Sequence, residues 1–210
     1  MSRGEPGSVA ERSVALAFEA GEDAEPFVAI LDSLRAAEVR VTVFLDGVWA
    51  ERNPDLVRRA VEEGHELGNH GYGHPDWTDL TDDEIRQDLG HVERIVAELA
   101  SAVPKPWALP PLLGFDERVD AVLRGSGYRA INLYPIDGNA YPDVSANGIR
   151  ERAVALAASE PVITIHTGRT ASADAVPAII DELAAQGCSV TRISDLDSVP
   201  DYPPVTPPRP

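Results

Sequence analysis

The chain has 210 residues, 43% of them hydrophobic and 25% charged, a composition that fits one globular domain with a sizeable core. A formal net charge of -17 repels phosphate backbones and anionic bilayers, which excludes nucleic acid and membrane surfaces as partners and leaves neutral or cationic small molecules and sugars open. Cys188 stands alone, which excludes an intramolecular disulfide and a cysteine-based metal site, so the thiol reads as a small buried hydrophobe.

Residues 1–12 are polar and lack the apolar centre of a signal peptide, and no later run approaches the roughly 20 apolar residues of a membrane span. The chain as it stands therefore reads as cytoplasmic; removal of a leader would leave the same sequence and a secreted protein. From residue 13 to 197, strand-like and helix-like runs alternate without a linker or an internal repeat. Strands are predicted over Ser13–Phe18, Val39–Leu45, His65–Asn69, Lys105–Leu109, Tyr128–Tyr134, Pro161–His166 and Cys188–Ile193. Between them Asn53-Pro54 reads as an N-cap followed by proline at the first helical position. Thr81-Asp82-Asp83-Glu84 reads as a capping box, ahead of an apolar stripe at Ile85, Leu89, Val92, Val96 and Leu99. The alternation predicts an α/β fold around a mainly parallel sheet, and seven strands suffice for a barrel. Residues 198–210 hold six prolines and read as an extended tail.

In such folds reactive groups gather where strands end. Glu19, His70 and His166 each lie at or just after a predicted strand end. His70 is joined by His74 within Gly68-Asn69-His70-Gly71-Tyr72-Gly73-His74-Pro75. Two imidazoles four residues apart can hold one divalent cation, zinc first, provided the backbone turns through one helical turn between them. Gly68, Gly71 and Gly73 keep bulk away from the space between the rings.

Five segments taken in order, Ala17-Phe18-Glu19-Ala20-Gly21, Gly64 to Pro75, Leu109-Pro110-Pro111-Leu112-Leu113-Gly114, Asp137-Gly138-Asn139-Ala140-Tyr141 and Ile163-Thr164-Ile165-His166, resemble the ordered motifs of the NodB-like polysaccharide deacetylases. The resemblance covers nearly the whole chain. It implies a distorted (β/α) barrel and hydrolysis of an N-acetyl group by metal-assisted attack of water. It further implies His70 and His74 as metal ligands, His166 as the general acid, and Ile165 as lining for the acetyl methyl. The family's adjacent aspartates, base then ligand, are Glu19 and Ala20 here, so Glu19 takes either the base role or the third-ligand role. Glu22 and Asp23 read as solvated loop acids.

Other positions depart as well. Leu109 stands for the family's arginine, Leu112 and Leu113 stand for an aromatic residue and a glycine, and Ala140 and Tyr141 stand for the acid and tryptophan of the fourth motif. The acid expected to tune His166 is therefore missing, which predicts a neutral His166 of lowered pKa. Leu109, Leu112, Asp137, Tyr141 and Ile165 form the expected substrate pocket, more apolar than the family's.

Three functions remain open: a hydrolase of non-peptide amide bonds acting on a small or less polar N-acyl substrate, a non-catalytic binding or assembly protein on the deacetylase fold, and a metal-free cyclic amide or ureide hydrolase using Glu19 and His166. Of the remaining candidates, His65 reads as structural and His91 as solvent-facing. Trp49, Trp77 and Trp107 read as core or rim packing, with the floor of the groove as the alternative for Trp107, and Arg169 reads as a solvated loop cation.

Overall fold

The computed structural model describes residues 12–138 and 145–203. Among these residues seven strands form one sheet: β1 (Arg12–Ala20), β2 (Thr42–Leu45), β3 (Glu66–Asn69), β4 (Trp107–Ala108), β5 (Arg129–Ala130), β6 (Val162–His166) and β7 (Cys188–Thr191). Every pairing is parallel, in the order β5-β4-β3-β2-β1-β6, with β7 also on β1. Ala15 pairs with both Val162 and Thr191. One residue takes two such partners only on opposite edges, so β7 shares the β2 edge, at the start of β1.

The sheet curls without closing, because β5 and β6 are not paired. Residues 131–136 cross the gap instead, and Ile136 N donates to Thr164 O at 2.9 Å. The strands expected over Lys105–Leu109 and Tyr128–Tyr134 shrink accordingly to two residues each. Pro104, Pro106 and Pro110 cannot donate to a ladder, and the β4–β5 pairing ends where Ile131 N donates to Ala108 O at 2.8 Å.

Among the described residues seven α-helices cover the sheet: α1 (Glu25–Ala36), α2 (Gly47–Arg52), α3 (Pro54–Glu62), α4 (Asp82–Ala100), α5 (Glu117–Gly125), α6 (Ala146–Leu156) and α7 (Thr170–Ala185). At α4 the capping box forms with Thr81 and Glu84 in both directions, and Ile85, Leu89, Val92, Ile95 and Val96 are buried, with Leu99 packed against the core edge. Asn53 precedes α3 but does not cap it by side chain; its amide turns back and donates to Trp49 O at 2.9 Å.

Alternation along the strands separates two apolar layers. Leu16, Phe18, Ala20, Val43, Leu45, Ile163 and Ile165 point outward into the main core beneath the helices. Ala15, Ala17, Phe44, Trp107, Leu109, Ile131, Val162 and Ile193 fill the barrel interior. Trp107 is thus an interior residue, its Nε1 donating to Ser194 Oγ at 2.8 Å, and does not floor a groove. Val199 and Tyr202 pack against the same interior cluster, so the start of the proline-rich stretch belongs to the fold. Among the described residues no helix is long and apolar enough to cross a membrane.

Gly68 is set by this interior. It lies opposite Phe44 in register, and a Cβ there would overlap the Phe44 ring. Gly68→Ala overfills a packed site, and its urea midpoint is expected to fall by the equivalent of about 1–3 kcal/mol.

Candidate active site

The C-terminal ends of β1, β3 and β6 bring Glu19, His70 and His166 to one point. Glu19 shares the inward face of β1 with Ala15 and Ala17, and His166 shares that of β6 with Val162 and Thr164. The Nε2 atoms of all three histidines converge on a single oxygen: Glu19 Oε1 lies 3.1 Å from His70, 3.5 Å from His166 and 3.8 Å from His74.

No helical turn links His70 to His74. Left-handed backbone at Gly71 (φ 73°), Gly73 (φ 83°) and His74 itself (φ 60°) folds the segment back, leaving the rings edge to face with centroids 4.9 Å apart. A non-glycine residue in that region is uncommon and carries strain of the kind found at functional sites. The glycines therefore serve the turn, and Gly68 the Phe44 ring, more than they clear space between the imidazoles.

Two carboxylates hold the segment. Asp46, directly after β2, accepts from Trp49 N at the start of α2 and, through its other oxygen, from Gly73 N at 3.0 Å. Asp88 on α4 accepts from Tyr72 N at 3.0 Å and Trp77 Nε1 at 2.9 Å. Burial pushes the Asp88 carboxyl above its usual range despite these donors. The strand-end rule that singles out Glu19, His70 and His166 also reaches Asp46, which follows the most β-branched run of the chain; Asp88 carries no such signal. His91 is not simply solvent-facing, since its ring stacks on Tyr72 with centroids 3.8 Å apart.

His166 is not without an acid. Asp137, fully buried, lies 2.9 Å from His166 Nδ1, accepts from the His166 backbone N–H, and also receives the Ser172 hydroxyl. The expectation of a missing tuning acid rested on position 140, whereas position 137 supplies it. Asp137 accordingly does not line the pocket. Burial lowers His166, but the Asp137 hydrogen bond and the charge of Glu19 outweigh it, so its pKa is raised and not lowered as expected. Ile165 is also displaced from its expected role. Next to an inward His166 it must face outward, and it is buried in the main core.

The cluster opens into a cavity of about 170 Å³ lined by Glu19, His70, His74 and His166 on one side and by Leu109, Leu112, Leu113, Leu133 and Tyr134 on the other. Leu109 contributes its carbonyl too, 2.7 Å from His70 Nδ1. Leu112 and Leu113 both adopt positive φ, 54° and 58°, and Leu112 is 64% exposed at the rim. Tyr141 lies outside the described residues. Glu22 and Asp23 are exposed, as expected of loop acids, and Arg169 lies 3.9 Å from Glu22. His65 is buried in the β2–β3 region, its Nδ1 accepting from Val41 N, with burial lowering its pKa.

The donor set fits a divalent cation. With Nδ1–H committed to the Leu109 carbonyl, neutral His70 directs the lone pair of its buried Nε2 at the cavity, where the nearest charged group is Glu19 Oε1 at 3.1 Å. One ligand atom each from Glu19, His70 and His74 lie within 4.8 Å of one another, a His2Glu set of the kind that binds catalytic zinc. Ala20 is in the core and offers nothing. Charge points the same way. Glu19, Asp46, Asp88 and Asp137 surround the histidines, and among the described residues none of the four is ion-paired with lysine or arginine. Buried carboxylates need a counter-charge, either protonated imidazole or a cation. In the metal-free protein imidazole supplies it. Burial raises the Glu19 carboxyl, but attraction to His70 and contacts with His74 and His166 hold it far below its usual range. Burial lowers His70, and the Glu19 charge raises it above its ordinary value.

The parallel β/α half-barrel thus gathers carboxylates and imidazoles at its strand C-termini, the edge where the active sites of such folds lie. The family model for polysaccharide deacetylase matches residues 7–131, and the chain belongs to that family, whose members generally use a divalent metal. It is 32% identical over 189 residues to a peptidoglycan-N-acetylglucosamine deacetylase of Bacillus cereus, covering 87% of this chain and 67% of that one. The peptidoglycan deacetylase PdaC of Bacillus subtilis superposes with a TM-score of 0.79 at 26% identity, covering 90% of this chain and 91% of the other. A mutant of BA3943, a CE4 family pseudoenzyme of Bacillus anthracis, with restored enzymatic activity superposes with a TM-score of 0.78 at 25% identity, covering 89% and 68%.

Proposed function

We propose that the chain hydrolyses the amide of an N-acylated amino sugar or related small molecule whose acyl part is less polar than the family's usual surroundings would favour. The observation that carries this reading is His166, backed by the buried Asp137, facing the same cavity as Glu19, His70 and His74. Glu19, His70 and His74 would hold the cation, which when bound acidifies water and polarises an acyl carbonyl.

Glu19 cannot be both ligand and base. A carboxyl held far below its usual range is a weak proton acceptor, so the ligand role suits it better. His166, raised from an ordinary value already near neutrality, is matched to proton transfer. Its Nε2 takes the proton of the attacking water and delivers it to the departing amine nitrogen, while Asp137 keeps Nδ1 protonated and holds the ring in place. The leucine wall receives the acyl group and excludes water.

The test is release of free amine from N-acyl glucosamines by protein loaded with Zn2+ or Co2+, with His166→Ala as control. Turnover lost in the variant supports the reading; no turnover with any divalent cation overturns it. A second reading, a non-catalytic deacetylase-fold binding protein, is supported by Ala20 at the ligand position and by the likeness to a pseudoenzyme. It predicts that loaded wild-type protein releases no amine.

A further inference from the structure

The cavity at Glu19 and His166, about 170 Å³, is below the roughly 300–1,000 Å³ of sites that enclose a small organic ligand. A second cavity of about 450 Å³ adjoins it and falls within that range. The two share Leu133, Tyr134 and Pro135, the strip that crosses the open seam between β5 and β6. Beyond the strip the second cavity continues over Ile136, Leu156 and Val162.

Five large apolar side chains are exposed among the described residues, and three of them border these cavities: Leu112 the first, Tyr134 both, and Leu156 the second. Exposed apolar surface concentrated in this way marks a binding site more than chance would. Thr164 supplies one polar atom on this wall, a buried hydroxyl without a hydrogen-bond partner. Arg152 and Glu160, one charge of each sign, also line it, so no net charge selects an ionic ligand.

We infer that this seam receives the acyl chain of the substrate, and that the chain is a linear hydrocarbon longer than acetyl. The inference rests on the amide-hydrolase reading above for the position of the amide, and on the cavities for the chain. A second sugar ring fits the seam poorly, because Thr164, Arg152 and Glu160 can meet only some of its hydroxyls while the rest would face Leu133, Pro135, Ile136 and Leu156, and each unpaired polar group is costly to bury. A straight chain brings no polar group of its own to be left unpaired. The amide sits at His166, the first carbons lie against Leu133 and Pro135, and the remainder lies along Ile136 and Leu156.

The experiment is a chain-length series of N-acetyl, N-butyryl, N-hexanoyl and N-octanoyl glucosamine, followed by amine release from cation-loaded protein and by calorimetric binding. Burial of a methylene at about 0.8 kcal/mol corresponds to roughly fourfold, so kcat/KM and affinity are expected to rise by at least about tenfold from acetyl to hexanoyl. Leu156→Arg, at a partly exposed helix position that tolerates a long side chain, is expected to flatten the series for chains of six carbons and more. A series that is flat or best at acetyl in the wild type overturns the inference and leaves the hydrolase reading standing. Binding that rises with chain length and is lost in Leu156→Arg, without any amine release, upholds the acyl site and overturns the hydrolase reading.

Discussion

Asp137→Asn is expected to lower kcat on an N-acyl substrate by about 10²–10⁴-fold, the usual contribution of a positioned proton carrier, while the protein still binds a divalent cation at Glu19, His70 and His74. The reason is the position of Asp137. It is fully buried, 2.9 Å from His166 Nδ1, and has no other cationic partner among the described residues. Burial alone lowers His166, and the Asp137 hydrogen bond is the first contribution that reverses this. Asparagine keeps the shape but removes the charge, so the His166 pKa falls. If His166 must start neutral to accept the proton of water, the acid limb of the kcat–pH profile is set by its pKa and moves to lower pH in the variant. A kcat profile measured from about pH 5 to 9 on both proteins, with unfolding midpoints to verify the fold, reads both effects. An unchanged kcat with an unmoved limb would remove His166 from the reaction.

Glu19→Gln is expected to destabilise the metal-free protein by about 3–5 kcal/mol near pH 6, with a much smaller effect near pH 9, because removing one partner leaves a buried charge uncompensated only while the imidazoles are charged. The sign follows from the shifts. The Glu19 carboxyl is depressed on folding, so its contribution is present above its unfolded value near 4.3 and is lost only in strong acid. His70 and His166 are raised on folding, so theirs is fully present below about 6.5 and is lost as pH climbs through their folded values. Between these limits the carboxylate and its imidazoles are charged together, and there the pair stabilises the fold. Urea unfolding in EDTA at both pH values decides the matter. Equal destabilisation at both would mean that Glu19 acts through packing and not through charge.

Much of the site was legible because strand signals are local. Val41 to Leu45 and Ile163 to Ile165 are β-branched runs, so the residues that follow them, Asp46 and His166, had to emerge at the sheet's C-terminal edge. The same alternation turns Ile165 into the core and His166 into the cavity. What remained hidden depends on distant or irregular chain. The convergence of three imidazoles on Glu19 Oε1 needs the curl of the sheet, which no periodicity reports. Asp137 meets His166 across 29 positions, from the end of a segment that forms no ladder. Leu112 and Leu113 adopt left-handed backbone where leucine is disfavoured on steric grounds, and sequence reasoning has no means to foresee that. Asp46 was missed although the rule that found Glu19 covers it.

The account stands on a cation held by Glu19, His70 and His74, and elemental analysis of the purified protein after Zn2+ or Co2+ loading and exhaustive dialysis tests it most directly. The predicted result is about one ion per chain in the wild type and none in His70→Ala/His74→Ala, given the affinity that three such ligands confer. Wild-type protein that retains no ion, folded and with the cluster intact, would contradict it.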